Sequence, residues 1–343
     1  MNLHYQCLPS NSVVCLLSPT ASGKTDLAFK LYATGRFEII SVDSALIYQG
    51  MDIGSAKPSR QQLLDYPHHL VDIIKPNDSY SVMNFIADCK RLIEQIHNNN
   101  KIPLLVGGTM MYYAALLDGI SPIPASDKAA RTHVAEVLAN EGNAGVYAYL
   151  LAHDPVICQR LVVNDTQRIT RAMEVHYQTG IALSQWQQIP KVALAHNPDK
   201  TWYALTVTPD RAWLHARIEQ RLNQMWQAGL VAEVVSLIDN YALHPDMPAL
   251  RCVGYRQVVD DLLAGGQLAL IDGYLQKTGE KIDADPCQGT KNKALYATRQ
   301  LAKRQYTWLR QLSNIIESPT ITGASPKIAR FLSIELKKRA IFG

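Results

Sequence analysis

The sequence predicts an α/β fold, a parallel sheet flanked by helices, with an all-helical domain inserted into it. Between residues 13 and 120, apolar runs typical of buried strands alternate with segments of helical periodicity. From residue 126 to residue 186 only helical periodicity remains, and strand character returns at residues 203–207. We therefore predict a core domain of residues 1–120 and 200–343, with a basic C-terminal helical segment, and an inserted helical domain of residues 121–199.

The first strand leads into a loop and a helix of the kind that binds phosphate. Residues 13–17 are apolar, and the chain then reads Ser18, Pro19, Thr20, Ala21, Ser22, Gly23, Lys24 and Thr25. Such a P-loop directs backbone N–H groups and a helix N-terminus at a phosphate, so the core is P-loop NTPase-like and residues 18–25 are predicted to bind a diphosphate. Lys24 is expected to reach the terminal phosphates and the Thr25 hydroxyl to hold Mg²⁺. The alternative is a chance Gly-Lys-Thr at a helix start.

Polar residues follow the next two strands of the predicted sheet. Asp43 comes directly after the apolar run 38–42, and Gly107, Gly108 and Thr109 follow the run 102–106. Because the carboxyl ends of parallel strands meet at one edge, Asp43 is expected near the P-loop, as a Mg²⁺ ligand or a base. The alternative is that Asp43 caps the following turn. The two glycines would let backbone approach a ligand closely.

The remaining elements follow from the same periodicities. A further strand is predicted at residues 68–74, and a helix capped by Ser81 extends to residues 98–100. Helical structure is predicted for residues 110–117, 210–238 and 297–312.

Composition and charge narrow the class of protein. The 343 residues are 47% hydrophobic and 19% charged, the balance of a globular protein. Six scattered cysteines without C-x-x-C spacing indicate reduced thiols, and no apolar run approaches the roughly 18 residues of a membrane span, so a cytoplasmic protein is expected. Residues 277–310 carry eight basic and three acidic side chains, a net charge of +5 against +4 for the whole chain. That stretch is either a solvated face or a binding surface for a polyanion.

At this point the motifs resemble those of one family, the tRNA dimethylallyltransferases. The resemblance extends from about residue 13 to residue 312, in order. Its motifs are the P-loop residues 19–25, the run 41–48, Gly107-Gly108-Thr109, Gln167-Arg168 with Arg171, the run 251–256 and the run 297–305. An isolated P-loop match could not imitate this set.

The resemblance implies a specific reaction and specific partners. Members of this family transfer a dimethylallyl group from dimethylallyl diphosphate to N6 of adenine 37 in tRNAs, with Mg²⁺, and their helical insertion clasps the anticodon stem-loop. Their P-loop cradles a diphosphate leaving group and not ATP. A monomer is expected. The residues that we expect to contact tRNA are Asp43, Ser44, Ala45, Leu46, Thr109, Arg131, Gln167, Arg168, Ile169, Thr170, Arg171, Arg251, Cys252, Val253, Gly254, Tyr255, Arg256, Lys303, Arg304, Gln305 and Arg310.

With that substrate pair, the chemistry assigns roles to a few residues. Lys24, Arg217 and Mg²⁺ on Thr25 would stabilise the departing diphosphate. Asp43 would accept the proton of the adenine amine, and Thr109 would hydrogen-bond the adenine or the diphosphate. Because the target base is stacked in a loop, it would have to be flipped out.

The sequence departs from the family's pattern in two places, and two other functions would explain parts of it. Ser18 replaces the family's usual glycine, which would strain the backbone if that position needs a positive φ. Residues 268–293 look longer than in the family and are expected to form an exposed loop. A small-molecule P-loop kinase would explain residues 13–43, and a nucleotide-gated RNA-binding protein would bind tRNA without chemistry.

Overall fold

In this computed structural model, residues 8–207, 209–317 and 332–334 are described. The strands are β1 (Ser12–Leu17), β2 (Phe37–Val42), β3 (His68–His69), β4 (Ile102–Gly107), β5 (Thr201–Val207), β6 (Leu268–Ile271), β7 (Tyr274–Lys277) and β8 (Leu332–Ile334). Six of them form one parallel sheet in the order β3-β2-β4-β1-β5-β8, and β6 and β7 form an antiparallel hairpin. The predicted parallel sheet flanked by helices is therefore confirmed.

Twelve α-helices are present in the described part of the chain. They are α1 (Lys24–Tyr32), α2 (Arg60–Asp65), α3 (Val82–Asn98), α4 (Met110–Leu117), α5 (Lys128–His153), α6 (Pro155–Cys158), α7 (Thr166–Thr179), α8 (Leu183–Trp186), α9 (Arg211–Gln227), α10 (Leu230–Asn240), α11 (Tyr255–Ala264) and α12 (Gln288–Glu317). Within the described ranges, no helix has the length and apolar character that crossing a membrane requires.

Strand β1 lies in the middle of the sheet and is buried along its whole length. Val13, Cys15 and Leu17 pack in one apolar layer with residues of α3 and α4. Val14 and Leu16 pack in the opposite layer with residues of α1. Both faces of the strand are therefore covered, which explains why its sequence is a continuous apolar run without alternation.

Contacts between residues divide the chain into two compact units, residues 1–117 with 194–343, and residues 118–193. The second unit contains α5 to α8, and its core includes Val134, Val146 and Ile169. Helix α5 is interrupted at Gly142, where φ is 65°, so its two halves differ in direction. As the periodicity predicts, the part of residues 126–186 with regular structure is helical.

Two predicted elements are shorter than expected because of residues with positive φ. The strand predicted at residues 68–74 ends at His69, since Leu70 and Asp72 have φ of 63° and 55°. The helix predicted at residues 210–238 is two helices, because Gly229 has φ of 96° and separates α9 from α10. The predicted Ser81 cap is confirmed, since its hydroxyl accepts a hydrogen bond from Asn84 N–H at 3.1 Å.

The segment of residues 268–293 is only partly the exposed loop that we expected. Its first part is the hairpin of β6 and β7, and residues 278–285 are irregular and mostly exposed. Helix α12 begins at Gln288, well before the predicted Ala297. The sequence signal was weak here because the polar residues 288–293 carry no apolar periodicity.

Candidate active site

The predicted P-loop, residues 18–25, includes the connection between β1 and α1 and the first two residues of that helix. The loop ends at Gly23, whose φ of 86° lies in the left-handed region, and Ala21 also has a positive φ of 61°. The N-cap residue Gly23 has no side chain to cap α1, so among the described residues the first N–H groups of the helix remain available to an anion. Lys24 lies at the start of this helix and donates to the Pro19 carbonyl at 3.4 Å.

Ser18 does not have the strained backbone that its replacement of glycine suggested. Its φ is not positive, and its side chain is fully buried. The hydroxyl donates to the Val207 carbonyl at 2.8 Å and contacts the Ser22 hydroxyl. Ser18 therefore joins the P-loop to the end of β5.

The two glycines after β4 allow close approaches within the protein. A Cβ on Gly107 would lie 1.9 Å from the Val42 carbonyl oxygen, and one on Gly108 would lie 2.7 Å from Nε2 of Gln305. These contacts account for both glycines without a ligand. The expected close approach is real, but it is to neighbouring protein groups.

Asp43 lies at the end of β2 and caps the turn that follows. Its Oδ1 accepts hydrogen bonds from Ala45 N–H at 2.9 Å and from Leu46 N–H at 3.4 Å. The Thr109 hydroxyl accepts from Ser44 N–H at 3.0 Å, which joins the Asp43 turn to the turn after β4. In the described residues, Oδ2 of Asp43 has no hydrogen-bond partner, so capping occupies only half of the carboxylate.

The charges of this site act on one another. Desolvation lowers the pKa of the Lys24 ammonium to about 8, an effect that the Asp43 carboxylate opposes and the Arg221 guanidinium reinforces. Desolvation likewise lowers the pKa of Arg221, opposed by Asp43 and reinforced by Arg217. Burial, with Asp43 adding to it, raises the pKa of both Tyr112 and Cys252 to about 12. Asp43 is therefore the negative centre of a site that two or more cations surround.

Arg217, which we expect to stabilise the diphosphate, contacts the predicted P-loop. Nε of Arg217 donates to the Ala21 carbonyl at 3.2 Å, and its guanidinium lies 4.9 Å from the centre of the Trp213 ring. Arg221 follows one turn later on α9. The spacing already indicated from the sequence that the guanidinium groups of Arg217 and Arg221 could both be directed at a phosphate, since residues four apart share a helix face.

Part of the predicted tRNA-contacting motif 251–256 is structural. Tyr255 is fully buried and donates its hydroxyl to Oε1 of Glu233 at 2.6 Å. The same carboxylate accepts from the backbone N–H groups of residues 52–54 at 2.7 to 3.1 Å. Tyr255 is thus corrected from an RNA contact to a support for the loop after Asp43. Arg251 and Arg256 are exposed, Cys252 and Val253 are partly exposed, and Gly254 is buried.

In the helical unit, the predicted RNA-contacting residues of α7 differ in exposure. Arg168 has 72% of its side chain exposed and pairs with Asp165. Arg171 is less exposed, donates to the Pro124 carbonyl at 2.6 Å and contacts the Ser126 hydroxyl, so its guanidinium holds its own unit together. Ile169 is fully buried and is corrected from an RNA contact to a core residue. Arg131 and Gln167 are exposed, and Thr170 is partly exposed.

Helix α12 supplies the predicted basic surface. Lys303, Arg304 and Arg310 are exposed. Lys303 and Arg310 also line a cavity of about 650 Å³ together with His215 of α9, whose pKa is lowered by desolvation and by the charges of Arg299 and Arg211. This surface favours anions. Gln305, by contrast, is 6% exposed and is corrected from an RNA contact to a buried link between two backbone segments.

The Thr25 hydroxyl, which directly follows Lys24 in the first turn of α1, is the oxygen atom of this site that could hold a divalent cation. Among the described residues, no group of three or more His, Cys, Asp or Glu side chains is placed to hold a metal ion. This donor set suits Mg²⁺, which binds through few protein ligands and keeps its waters or phosphate oxygens.

The fold and the site define an α/β protein with a P-loop-like strand–loop–helix at the carboxyl edge of a parallel sheet. The model of the IPP transferase family matches residues 46–312. The chain is 50% identical to a tRNA dimethylallyltransferase of Psychrobacter arcticus, over 93% of this chain and 86% of that protein. The chain belongs to the IPP transferase family.

Solved structures have the same fold. The tRNA isopentenylpyrophosphate transferase from Bacillus halodurans matches with a TM-score of 0.56 and 28% identity, over 88% of this chain and 87% of that one. A eukaryotic dimethylallyltransferase acting on tRNA matches with a TM-score of 0.68 and 23% identity, over 87% of this chain and 70% of that one. The second likeness is one of fold alone.

Proposed function

We propose that this chain transfers the dimethylallyl group of dimethylallyl diphosphate to N6 of adenine 37 in tRNAs and releases diphosphate. The observation that carries the proposal is the position of Asp43. Its carboxylate lies within electrostatic reach of Lys24 and Arg221, at the strand edge where the P-loop begins. A base and a cationic anion site next to each other suit a reaction in which an anion leaves as a nucleophile loses its proton.

The two charges that develop in this reaction match the two signs of charge in the site. When the C1–O bond to the diphosphate breaks, negative charge grows on the diphosphate, and positive charge grows on the allylic carbon. Lys24, Arg217 and Arg221 would stabilise the first, together with the N–H groups at the start of α1. The site is partly desolvated, so these interactions are stronger than they would be in water.

Asp43 would complete the balance of the reaction. As N6 of adenine forms its bond to C1, it must lose a proton, and Oδ2 of Asp43 would accept it while Oδ1 keeps the turn in place. Thr109 would orient this turn through its hydrogen bond with Ser44 N–H. Mg²⁺, held by Thr25, would supply further charge neutralisation for the diphosphate.

The partners and setting follow from this assignment. The tRNA anticodon stem-loop would contact the exposed Arg168 of the helical unit and the exposed Lys303 and Arg304 of α12. The P-loop would hold a diphosphate and not ATP. A tRNA substrate would place the reaction in the cytoplasm, and the protein would act as a monomer.

A mass measurement tests the proposal. The protein, dimethylallyl diphosphate, Mg²⁺ and unmodified tRNA are incubated, and the tRNA is then digested and its nucleosides weighed. We expect a dimethylallyl group on one adenosine, absent from a parallel reaction with tRNA that has guanosine at position 37. Binding of tRNA without a mass change would favour a nucleotide-gated RNA-binding protein. Phosphoryl transfer from ATP to a small acceptor would favour a kinase.

A further inference from the structure

Gln305 of α12 bridges two backbone segments of the candidate active site. Its Oε1 accepts a hydrogen bond from Thr20 N–H in the P-loop at 2.9 Å. Its Nε2 donates to the Gly108 carbonyl in the turn after β4 at 2.8 Å. The side chain is 6% exposed, so both bonds are shielded from water. The Lys24 ammonium is close as well, 3.8 Å from where a Gly108 Cβ would lie.

We propose that Gln305 is a positioning residue that holds the P-loop against the turn after β4 in the conformation that binds the diphosphate. The inference rests on the proposed function, because it takes the diphosphate as the ligand of this loop. Residues 18–23 have no regular secondary structure to hold them. Fixing such a segment before the ligand arrives removes the entropy cost of ordering it during binding.

The same bonds determine which N–H groups of the loop can bind an anion. Thr20 N–H already has Gln305 as its acceptor. The anion site therefore begins one residue later, at Ala21, and extends into the first turn of α1. Gln305 lies between exposed basic residues in the sequence, Lys303 and Arg304 before it and Arg310 after it, but its own contacts are with the loop. Helix α12 thus has a basic exposed face that includes Lys303, Arg304 and Arg310. The buried amide of Gln305 acts instead on the binding of the diphosphate.

Replacement of Gln305 by Met tests this role. Methionine has nearly the same length and volume but can neither accept from Thr20 N–H nor donate to the Gly108 carbonyl. The matched control is Gln288→Met, on an exposed residue at the start of the same helix. For each protein, the binding of inorganic pyrophosphate with Mg²⁺ is measured by calorimetry, the binding of tRNA by gel shift, and the folding by thermal melting. The KM for dimethylallyl diphosphate and kcat complete the set.

We expect Gln305→Met to weaken pyrophosphate binding and raise the KM for dimethylallyl diphosphate by about 5- to 20-fold, the effect of one or two lost hydrogen bonds. The tRNA affinity should stay within about twofold, and Gln288→Met should match the wild type. A loss of tRNA affinity with unchanged pyrophosphate binding would make Gln305 an RNA contact and overturn the proposal. Tighter pyrophosphate binding would overturn it too, because Gln305 would then compete with the anion for Thr20 N–H.

A second variant disrupts the same contact by changing Gly108 instead of Gln305. It tests the role of Gln305 even if Gln305→Met does not fold. Gly108→Ala places a Cβ 2.7 Å from Nε2 of Gln305 and displaces the amide. It should weaken pyrophosphate binding to a similar degree, and the double variant should be no weaker than either single one, as residues of one contact are not additive. Full additivity would overturn the proposal. If wild-type protein binds pyrophosphate but does not modify tRNA, the proposed function fails while the pyrophosphate measurements still decide the role of Gln305.

Discussion

The charged side chains around the P-loop and those on helix α7 are held in different ways. Lys24 and Arg221 are desolvated enough to lower their pKa values, and the Asp43 carboxylate opposes both shifts. Arg168 on α7 is 72% exposed, and its partner is Asp165, three residues earlier in the chain. The electrostatic interactions of Lys24 and Arg221 are strong because water screens them little. The interaction of the exposed Arg168 is weakened by water and salt.

This difference predicts that the two regions affect different steps of the reaction. The P-loop region should determine the rate of the chemical step, and its variants should cost orders of magnitude in turnover. The exposed arginine of α7 should determine tRNA affinity and its dependence on salt, and its variants should cost a few fold. Variants in the two regions test this expectation.

Asp43→Asn should slow prenyl transfer by about 10²- to 10⁴-fold, the usual cost of losing a general base. Asparagine keeps the Oδ1 acceptor that caps the turn through Ala45 N–H and Leu46 N–H, so the fold and the binding of both substrates should survive. Single-turnover kinetics measures the rate, thermal melting the fold and gel shift the tRNA binding.

The control is Asp43→Ala, which removes the cap as well as the base and should lower the melting temperature in addition. Near-normal turnover in folded Asp43→Asn would remove Asp43 from the mechanism. Abolished substrate binding with lost metal dependence would make it a Mg²⁺ ligand instead.

Lys24→Met should lower kcat/KM by about 10²- to 10³-fold, since a partly desolvated cation next to the leaving group is lost.

The pKa of about 8 for the Lys24 ammonium predicts that pyrophosphate binding depends on pH. Only the protonated amine attracts the diphosphate, so pyrophosphate affinity should fall as the pH rises through about 8. Calorimetry at pH 8.5, in two buffers of different ionisation enthalpy, should show proton uptake on binding by the wild type and less by Lys24→Met. Equal proton uptake by the two proteins would assign the titration to another group.

How much of this was predictable from the sequence depended on how local the signal was. The buried strands before the P-loop and before Asp43, and the Ser81 cap, are specified by residues next to one another, and the structure contains all three. The end of β3 at His69 was missed because positive φ at Leu70 and Asp72 leaves no mark in residues that are not glycine.

Prediction of the site was limited in the same way, because some of its contacts join residues far apart in the sequence. Lys24, Thr25 and Asp43 follow from a motif and a rule about strand ends, whereas Gln305 contacts Thr20 across 285 residues of sequence. For Arg221, the sequence signal was its spacing from Arg217. No periodicity reports which polar residue on an amphipathic helix is turned inward, because that depends on what the tertiary structure places opposite it.

Arg168→Ala should weaken tRNA binding by a few fold and reduce the slope of its salt dependence by about one, with the KM for dimethylallyl diphosphate unchanged. Arg171→Ala should differ from it, since Arg171 bonds Pro124 and contacts Ser126 and its loss should lower the melting temperature. Arg160→Ala, an exposed arginine of the same unit, is the control. An unchanged salt slope in Arg168→Ala would leave Arg168 as a merely solvated residue.

Ser18→Gly should have the smallest effect on function. The φ of Ser18 is not positive, so glycine relieves no strain, and diphosphate affinity should stay within about twofold. The hydroxyl donates to the Val207 carbonyl in a fully buried position, so its loss should cost about 1 kcal/mol of stability, or about 1 to 2 °C in melting temperature.

Ser18→Ala separates the hydroxyl from the backbone, because alanine removes the same oxygen atom but keeps the Cβ. If the hydroxyl acts only through Val207 and Ser22, the two variants should lose similar stability and keep similar affinity for pyrophosphate, apart from the added backbone freedom of glycine. Tighter pyrophosphate binding by Ser18→Gly alone would reveal strain that the backbone angles do not show. A large loss of affinity in both variants would make the Ser18 hydroxyl a ligand of the diphosphate. The first residue of the loop would then bind the substrate as well as support the fold.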